Sequence, residues 1–165
     1  MTQLIRMVAW TGMLLMFHYP VVADEASTIG MLDLAAVAQQ ADEKRLPILL
    51  LFLEDDCEDC TKIMEEFILP MQRSGEYTDK VLVRIVNIET DRVRDFTGKV
   101  IAMDSFVDRY NLELTPGVTI VNAQGDELAP VISGMGNVDF YASSLDEAID
   151  LGLNSIRKEN QKFHH

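Results

Sequence analysis

The sequence predicts an α/β fold, a central mixed β-sheet flanked by helices on both faces. Three observations lead to it. The run ILLLFL at Ile48–Leu53 is apolar throughout and only six residues long, which fits a strand buried on both faces. Segments of helical periodicity lie before and after it. The order helix, strand, helix, strand, helix, strand, strand, helix gives the first two strands a crossover connection and the last two a hairpin. One parallel and one antiparallel pairing then share a sheet.

Each element has its own signal. From Met31 to Arg45 the apolar residues Leu34, Val37, Ala38 and Ala41 recur at i, i+3, i+4 and i+7, with Asp33 near the start, so a helix is expected there. Pro47 separates it from the first strand. A second helix follows at once, with Cys60, Ile63, Met64, Phe67, Ile68 and Met71 as its apolar stripe and Lys62, Glu65 and Glu66 facing water. Pro70 should kink or end that helix near Leu69. KVLVRIVNI at Lys80–Ile88 reads as the second strand, and the polar stretch Asp91–Lys99 leads to a short helix at Ser105–Leu112. After Pro116, Val118–Val121 and Glu127–Ser133 flank a turn at Gly125 and read as the hairpin. Pro130 cannot donate to a ladder, which places the last strand at a sheet edge. The closing helix should turn Phe140, Leu145, Ile149, Leu153 and Ile156 inward.

The first 23 residues differ from the rest. They contain no Asp or Glu, one basic residue (Arg6), the apolar run MVAWTGMLLMF, then Pro20 and VVA. That pattern is a secretory signal, expected to be cut after Ala23, leaving one domain over residues 24–165. The alternative is a retained anchor, but the apolar run is well short of the roughly 20 residues that span a bilayer. Without Arg6 the chain carries 13 basic against 27 acidic residues, a net of −14. Such a surface repels phosphate backbones and anionic lipid, so neither nucleic acid nor membrane insertion after cleavage is expected.

Cys57 and Cys60 are the only cysteines, and the other residues of Glu54–Asp59 are Glu54, Asp55, Asp56, Glu58 and Asp59, all acidic. Cations and helix N-termini lower a thiol pKa, whereas anions raise it. A zinc site needs about four ligands. Beyond the leader only His164 and His165 could join the two thiols, so no metal is expected. An inert structural pair remains the bland alternative, and a solvated face is the bland reading of the acids.

A buried strand running into CEDC at a helix start, LTPGVTI farther on, and NAQGDELAPVISGMG after that resemble the thioredoxin superfamily in the same order. The resemblance covers about Leu32 to Leu153. LPILLLFLEDDCEDC and RVRDFTGKVIAMDSFVDRYNLELTPG are more similar to exported bacterial thioredoxin-like proteins, including those associated with sulfur-oxidation gene sets. The resemblance implies a periplasmic or otherwise exported thiol-disulfide oxidoreductase, most simply a reductase of protein disulfides. Cys57 would be its nucleophile and Cys60 its resolving thiol, one helical turn further in. Thr115-Pro116 would be a cis peptide that presents its backbone to substrate.

The chain departs from the family in three places. Asp56 stands before the first cysteine, Glu58 and Asp59 lie between the cysteines, and Leu51 occupies the position where thioredoxin carries a buried acid. Glu54 is the nearest candidate acid or base and is left unassigned. No nicotinamide or flavin motif is present, so no cofactor is expected and a membrane thiol carrier would supply electrons. Asp56, Glu58 and Asp59 would modulate the site by opposing thiolate formation. A disulfide oxidase differs only in redox poise. A binding module using its acidic rim to hold a basic partner is the alternative of a different class.

Overall fold

A computed structural model describes residues 31–162. The expected leader and the final His164-His165 pair lie outside the described residues. In chain order the elements are α1 (Leu34–Lys44), β1 (Ile48–Leu53), α2 (Glu58–Ile63), a π-helical stretch (Met64–Ile68), α3 (Leu69–Ser74), β2 (Leu82–Asn87), β3 (Arg92–Arg94), β4 (Val100–Ala102), α4 (Met103–Asp108), β5 (Gly117–Val121), β6 (Ile132–Ser133) and α5 (Val138–Lys162). The main sheet has the order β2-β1-β5-β6, with β1 parallel to β2 and the other two pairings antiparallel. This is the mixed sheet that the element order predicts.

β1 sits in the middle and alternates its side chains between two cores. Ile48, Leu50 and Phe52 pack with Leu34, Val37 and Ala41 of α1 and with Phe106 and Tyr110 at α4. Leu49 and Leu51 pack on the other face with Ile63, Ile68 and Met71 and with Tyr141, Leu145 and Ile149 of α5. An unbroken apolar run is what a strand with two buried faces requires. α1 begins where Asp33 accepts the Ala36 N–H at 3.1 Å, the N-cap bond its position suggests.

The helix after the cysteines does not stop at Leu69. It continues to Ser74 because a π turn absorbs the proline: the Leu69 N–H bonds the Met64 carbonyl, five residues back, and Pro70 becomes the second residue of α3. The wider turn also shifts the apolar stripe. Cys60, Ile63, Ile68 and Met71 are buried, while Met64 and Phe67 are only half-buried. Phe67 instead stacks beside Tyr141, with ring centroids 5.0 Å apart.

Three other expectations need correction. The polar stretch leading to α4, where the sequence signals no strand, holds two: Arg92–Arg94 and Val100–Ala102 pair as a second, two-stranded sheet. Val93 buries itself under α1, and Arg94 ties the hairpin to α1 through a 3.2 Å ion pair with Asp33. The short helix starts at Met103 and ends at Asp108, earlier than the sequence suggested, and Tyr110 follows as a buried residue whose hydroxyl donates to the Gly125 carbonyl at 3.1 Å. In α5, Phe140 is 65% exposed and Tyr141 only 3%. Starting the helix at Val138 puts Tyr141, Leu145, Ala148 and Ile149 on one face, so the neighbouring aromatic takes the inward place.

The hairpin forms as expected, with Pro130 interrupting its return strand. Glu127 bridges Val121, then Ile132 and Ser133 rejoin Val118 and Gly117 at the sheet edge. Among the described residues no helix is long and apolar enough to cross a membrane.

Candidate active site

β1 delivers the site from the centre of the sheet. At its last residue the Leu53 carbonyl accepts the Ile88 N–H at 2.9 Å, and the chain leaves the sheet at its carboxyl end with Glu54. Asp56 then takes a left-handed conformation, φ 54°, a turn that aspartate tolerates better than most residues. Cys57 follows as the N-cap of α2. Its sulfur accepts the Cys60 N–H at 3.1 Å, and its carbonyl accepts the Thr61 N–H at 3.1 Å.

Cys57 and Cys60 are joined in a disulfide, with their Cα atoms 5.2 Å apart. Cys57 is half-buried and Cys60 is 4% exposed. An incoming group can therefore reach only the first sulfur. Beneath the pair, Leu51 is fully buried in an apolar cluster with Ile63, so its position supplies no acid.

The Thr115-Pro116 peptide is cis. Its position relative to the cysteines follows from strand register. Ile48 pairs with Val121 and Phe52 with Gly117, and continuing that ladder places Leu53 opposite Pro116 and Glu54 opposite Thr115. The Thr115 hydroxyl indeed donates to the Glu54 carboxylate. On its other side the loop is held to the β6 end, where Leu114 N–H reaches Ser133 Oγ at 3.1 Å and Gly134 N–H reaches the Pro116 carbonyl at 2.9 Å. Among the described residues the Thr115 N–H and C=O have no partner, so this half-buried peptide edge is open to another strand.

The acidic residues are not one undivided cluster. Glu58 pairs with Lys62 at 2.9 Å and Asp59 approaches the same ammonium at 3.8 Å, both on the outer face of α2. The hydrogen bond and charge of Lys62 hold Glu58 below the usual carboxylate range, and Glu58 in turn raises Lys62. Asp55 faces the end of β2, accepting the Asn87 side-chain N–H at 2.9 Å and donating its own N–H to Glu89 at 3.3 Å. Asp56 stands exposed beside Cys57. Asn87 and Glu89 went unnoticed in the sequence because they lie some 30 residues away. Their signal is that they close the strand paired in parallel with the one leading to the cysteines.

Glu89 is raised above the ordinary carboxyl value, first by its side-chain hydrogen bond with Asp55 and also by repulsion from Asp55 and Glu54. The folded chain therefore holds this proton more tightly than the unfolded chain. The contribution is fully present below the ordinary glutamate pKa and is lost as pH rises through the raised one. Glu89→Gln keeps a hydrogen-bonding group without the repelling charge, so the decline of Tm across weakly acidic to neutral pH should flatten. Unchanged slopes in thermal melts of the two proteins would show that the Asp55–Glu89 contact has no thermodynamic weight.

Among the described residues no group of three or more His, Cys, Asp or Glu side chains is arranged to hold a metal. What the arrangement can do is exchange a disulfide: one accessible sulfur, one buried partner within bonding reach, and an open peptide edge beside them.

A family model described as a thioredoxin-like domain matches residues 34–149. Among solved structures, a thioredoxin-fold protein from Helicobacter pylori is similar over 79% of this chain and 98% of its own, at 14% identity and a TM-score of 0.42. No curated protein matches. A CxxC pair in a domain of this kind points to redox function.

Proposed function

Because the chain belongs to the thioredoxin-like family, with the domain over residues 34–149, we propose that it is an exported thiol-disulfide oxidoreductase that reduces disulfides in protein substrates. The observation that carries this reading is the Cys57–Cys60 disulfide with only its first sulfur accessible. In the reduced chain the Cys57 thiolate attacks one sulfur of a substrate disulfide. A mixed disulfide forms and the first substrate thiolate leaves. Cys60, as thiolate, then attacks the Cys57 sulfur, releasing the second substrate thiolate and closing the Cys57–Cys60 bond. Two electrons pass to the substrate. A thiol carrier at the membrane restores the dithiol by the same exchange in reverse.

Thr115 and Pro116 dock the substrate main chain. An extended segment adds to the open peptide edge at Thr115, so recognition by backbone is broad and side chains around it set preference.

The direction of transfer follows from charge. The helix N-terminus favours thiolate by about 0.3–1 kcal/mol where exposed. A carboxylate about 4 Å away opposes it by about 1 kcal/mol even in bulk water. Lys62 neutralises part of Glu58 and Asp59, and Glu54 and Asp55 are bonded to Thr115 and Asn87, which leaves Asp56, exposed beside Cys57, as the carboxylate that opposes its thiolate. A thiolate denied stabilisation makes the reduced form a good donor, as in thioredoxin and unlike strong oxidases.

The test is the reduction potential of the Cys57–Cys60 pair, equilibrated in defined thiol-disulfide buffers with free thiols trapped for mass analysis. A value near or below about −230 mV supports the reductase, and one above about −150 mV makes the chain an oxidase whose carboxylates do not govern the site. Thiols that fail to exchange would leave the thioredoxin scaffold as a binding module for a basic partner. Export has its own check, since a secreted product should begin at Asp24 when its N-terminus is sequenced.

A further inference from the structure

Glu54 is the last acidic residue before the turn that carries Cys57, and the redox chemistry just described gives it no part. Its surroundings do. Backbone pairing between β1 and β5 ends at Phe52 and Gly117, because Pro116 has no N–H to donate and the Leu53 carbonyl is taken by Ile88. One step further the ladder is replaced by a side-chain bond, Thr115 hydroxyl to Glu54 carboxylate. Thr115 is thus held at three points: by its hydroxyl on the β1 side, and by Leu114 N–H to Ser133 and Pro116 C=O to Gly134 on the β6 side. Only its own peptide groups remain open.

We infer that Glu54 is a positioning residue for substrate, fixing Thr115 through its hydroxyl so that the Thr115 peptide edge is pre-set to receive an extended chain. This rests on the docking role given to Thr115 above. Without the Glu54 bond, the loop keeps its two anchors at β6 and loses the one facing the cysteines, so an arriving strand must order the loop as it binds. The cost falls on association with peptide and not on sulfur exchange itself, because Glu54 makes its hydrogen bond to Thr115 and none to Cys57 or Cys60. The interaction asks only for an acceptor oxygen, which an amide also provides.

Those properties set the experiment. The full mature chain and its Glu54→Ala, Glu54→Gln and Thr115→Val variants are assayed with two probes, a cyclic peptide closed by one disulfide and the small dithiol dithiothreitol, which has no chain to dock. Glu54→Ala should raise KM for the peptide about tenfold with kcat changed less than about twofold, the size expected for one hydrogen bond to a charged group. The ratio of peptide rate to dithiothreitol rate should fall by the same factor. Glu54→Gln should restore most of the KM, and Glu54→Ala combined with Thr115→Val should be no worse than either alone, since both remove the same bond. The inference is overturned if the two probes slow equally, if glutamine fails where alanine fails, or if the two substitutions add. A wild-type chain that exchanges with neither probe would sink the oxidoreductase reading itself, and this one with it.

Discussion

Turnover of a protein disulfide is expected to fall by about a thousandfold or more when Cys57 is replaced by serine, because a hydroxyl does not ionise near neutral pH and cannot displace sulfur. No other residue can take over. The chain has two cysteines, and the second is 4% exposed beneath the first. Cys60→Ser should behave differently in kind. Cys57 can still attack, yet nothing resolves the product, so one substrate molecule per chain should remain attached as a mixed disulfide, visible as a mass increase that a reductant removes. Turnover by Cys57→Ser within tenfold of wild type would place the chemistry somewhere other than this pair. An untrapped Cys60→Ser with normal turnover would remove the resolving role.

The largest expected loss of stability is at Phe52. Its ring is fully buried, 6.1 Å from Phe106 and 5.7 Å from Tyr110 between centroids, in the strand that runs to the cysteines. Phe52→Ala deletes a ring from a packed aromatic group that cannot close over the void, because Tyr110 is pinned by its hydroxyl to Gly125. A cost of about 3–5 kcal/mol follows. That is a large part of the 5–15 kcal/mol typical of a whole domain. Urea unfolding followed by circular dichroism measures it directly, and a loss below about 1.5 kcal/mol would mean the aromatic cluster repacks freely.

The central strand was legible because ILLLFL has no polar side, which only burial on both faces satisfies. α1 was legible from its period and from Asp33. The cysteine pair and the Thr115-Pro116 peptide were legible because the family resemblance depends on them. Elsewhere the signal was too short or too distant. Three residues, as in β3 and β4, cannot display an alternation that distinguishes a strand from a loop. The choice between Phe140 and Tyr141 depends on where α5 begins, and a one-residue change of start rotates the inward face by about 100°. The Asp55–Asn87–Glu89 contacts exist only once β1 and β2 are paired, and the Glu54–Thr115 bond only once β1 and β5 are.

The π turn at Met64–Ile68 has a consequence for how this chain is compared with its relatives. A turn closed five residues back contains one residue more than the same turn of an α-helix. Against a family member whose helix is regular here, the sequence carries an insertion with no loop to hold it. Residues on the two sides of the turn then match different neighbours, and an alignment drawn straight through it puts Ile68 and Met71 out of phase with the positions they occupy in space. The gap belongs inside the helix.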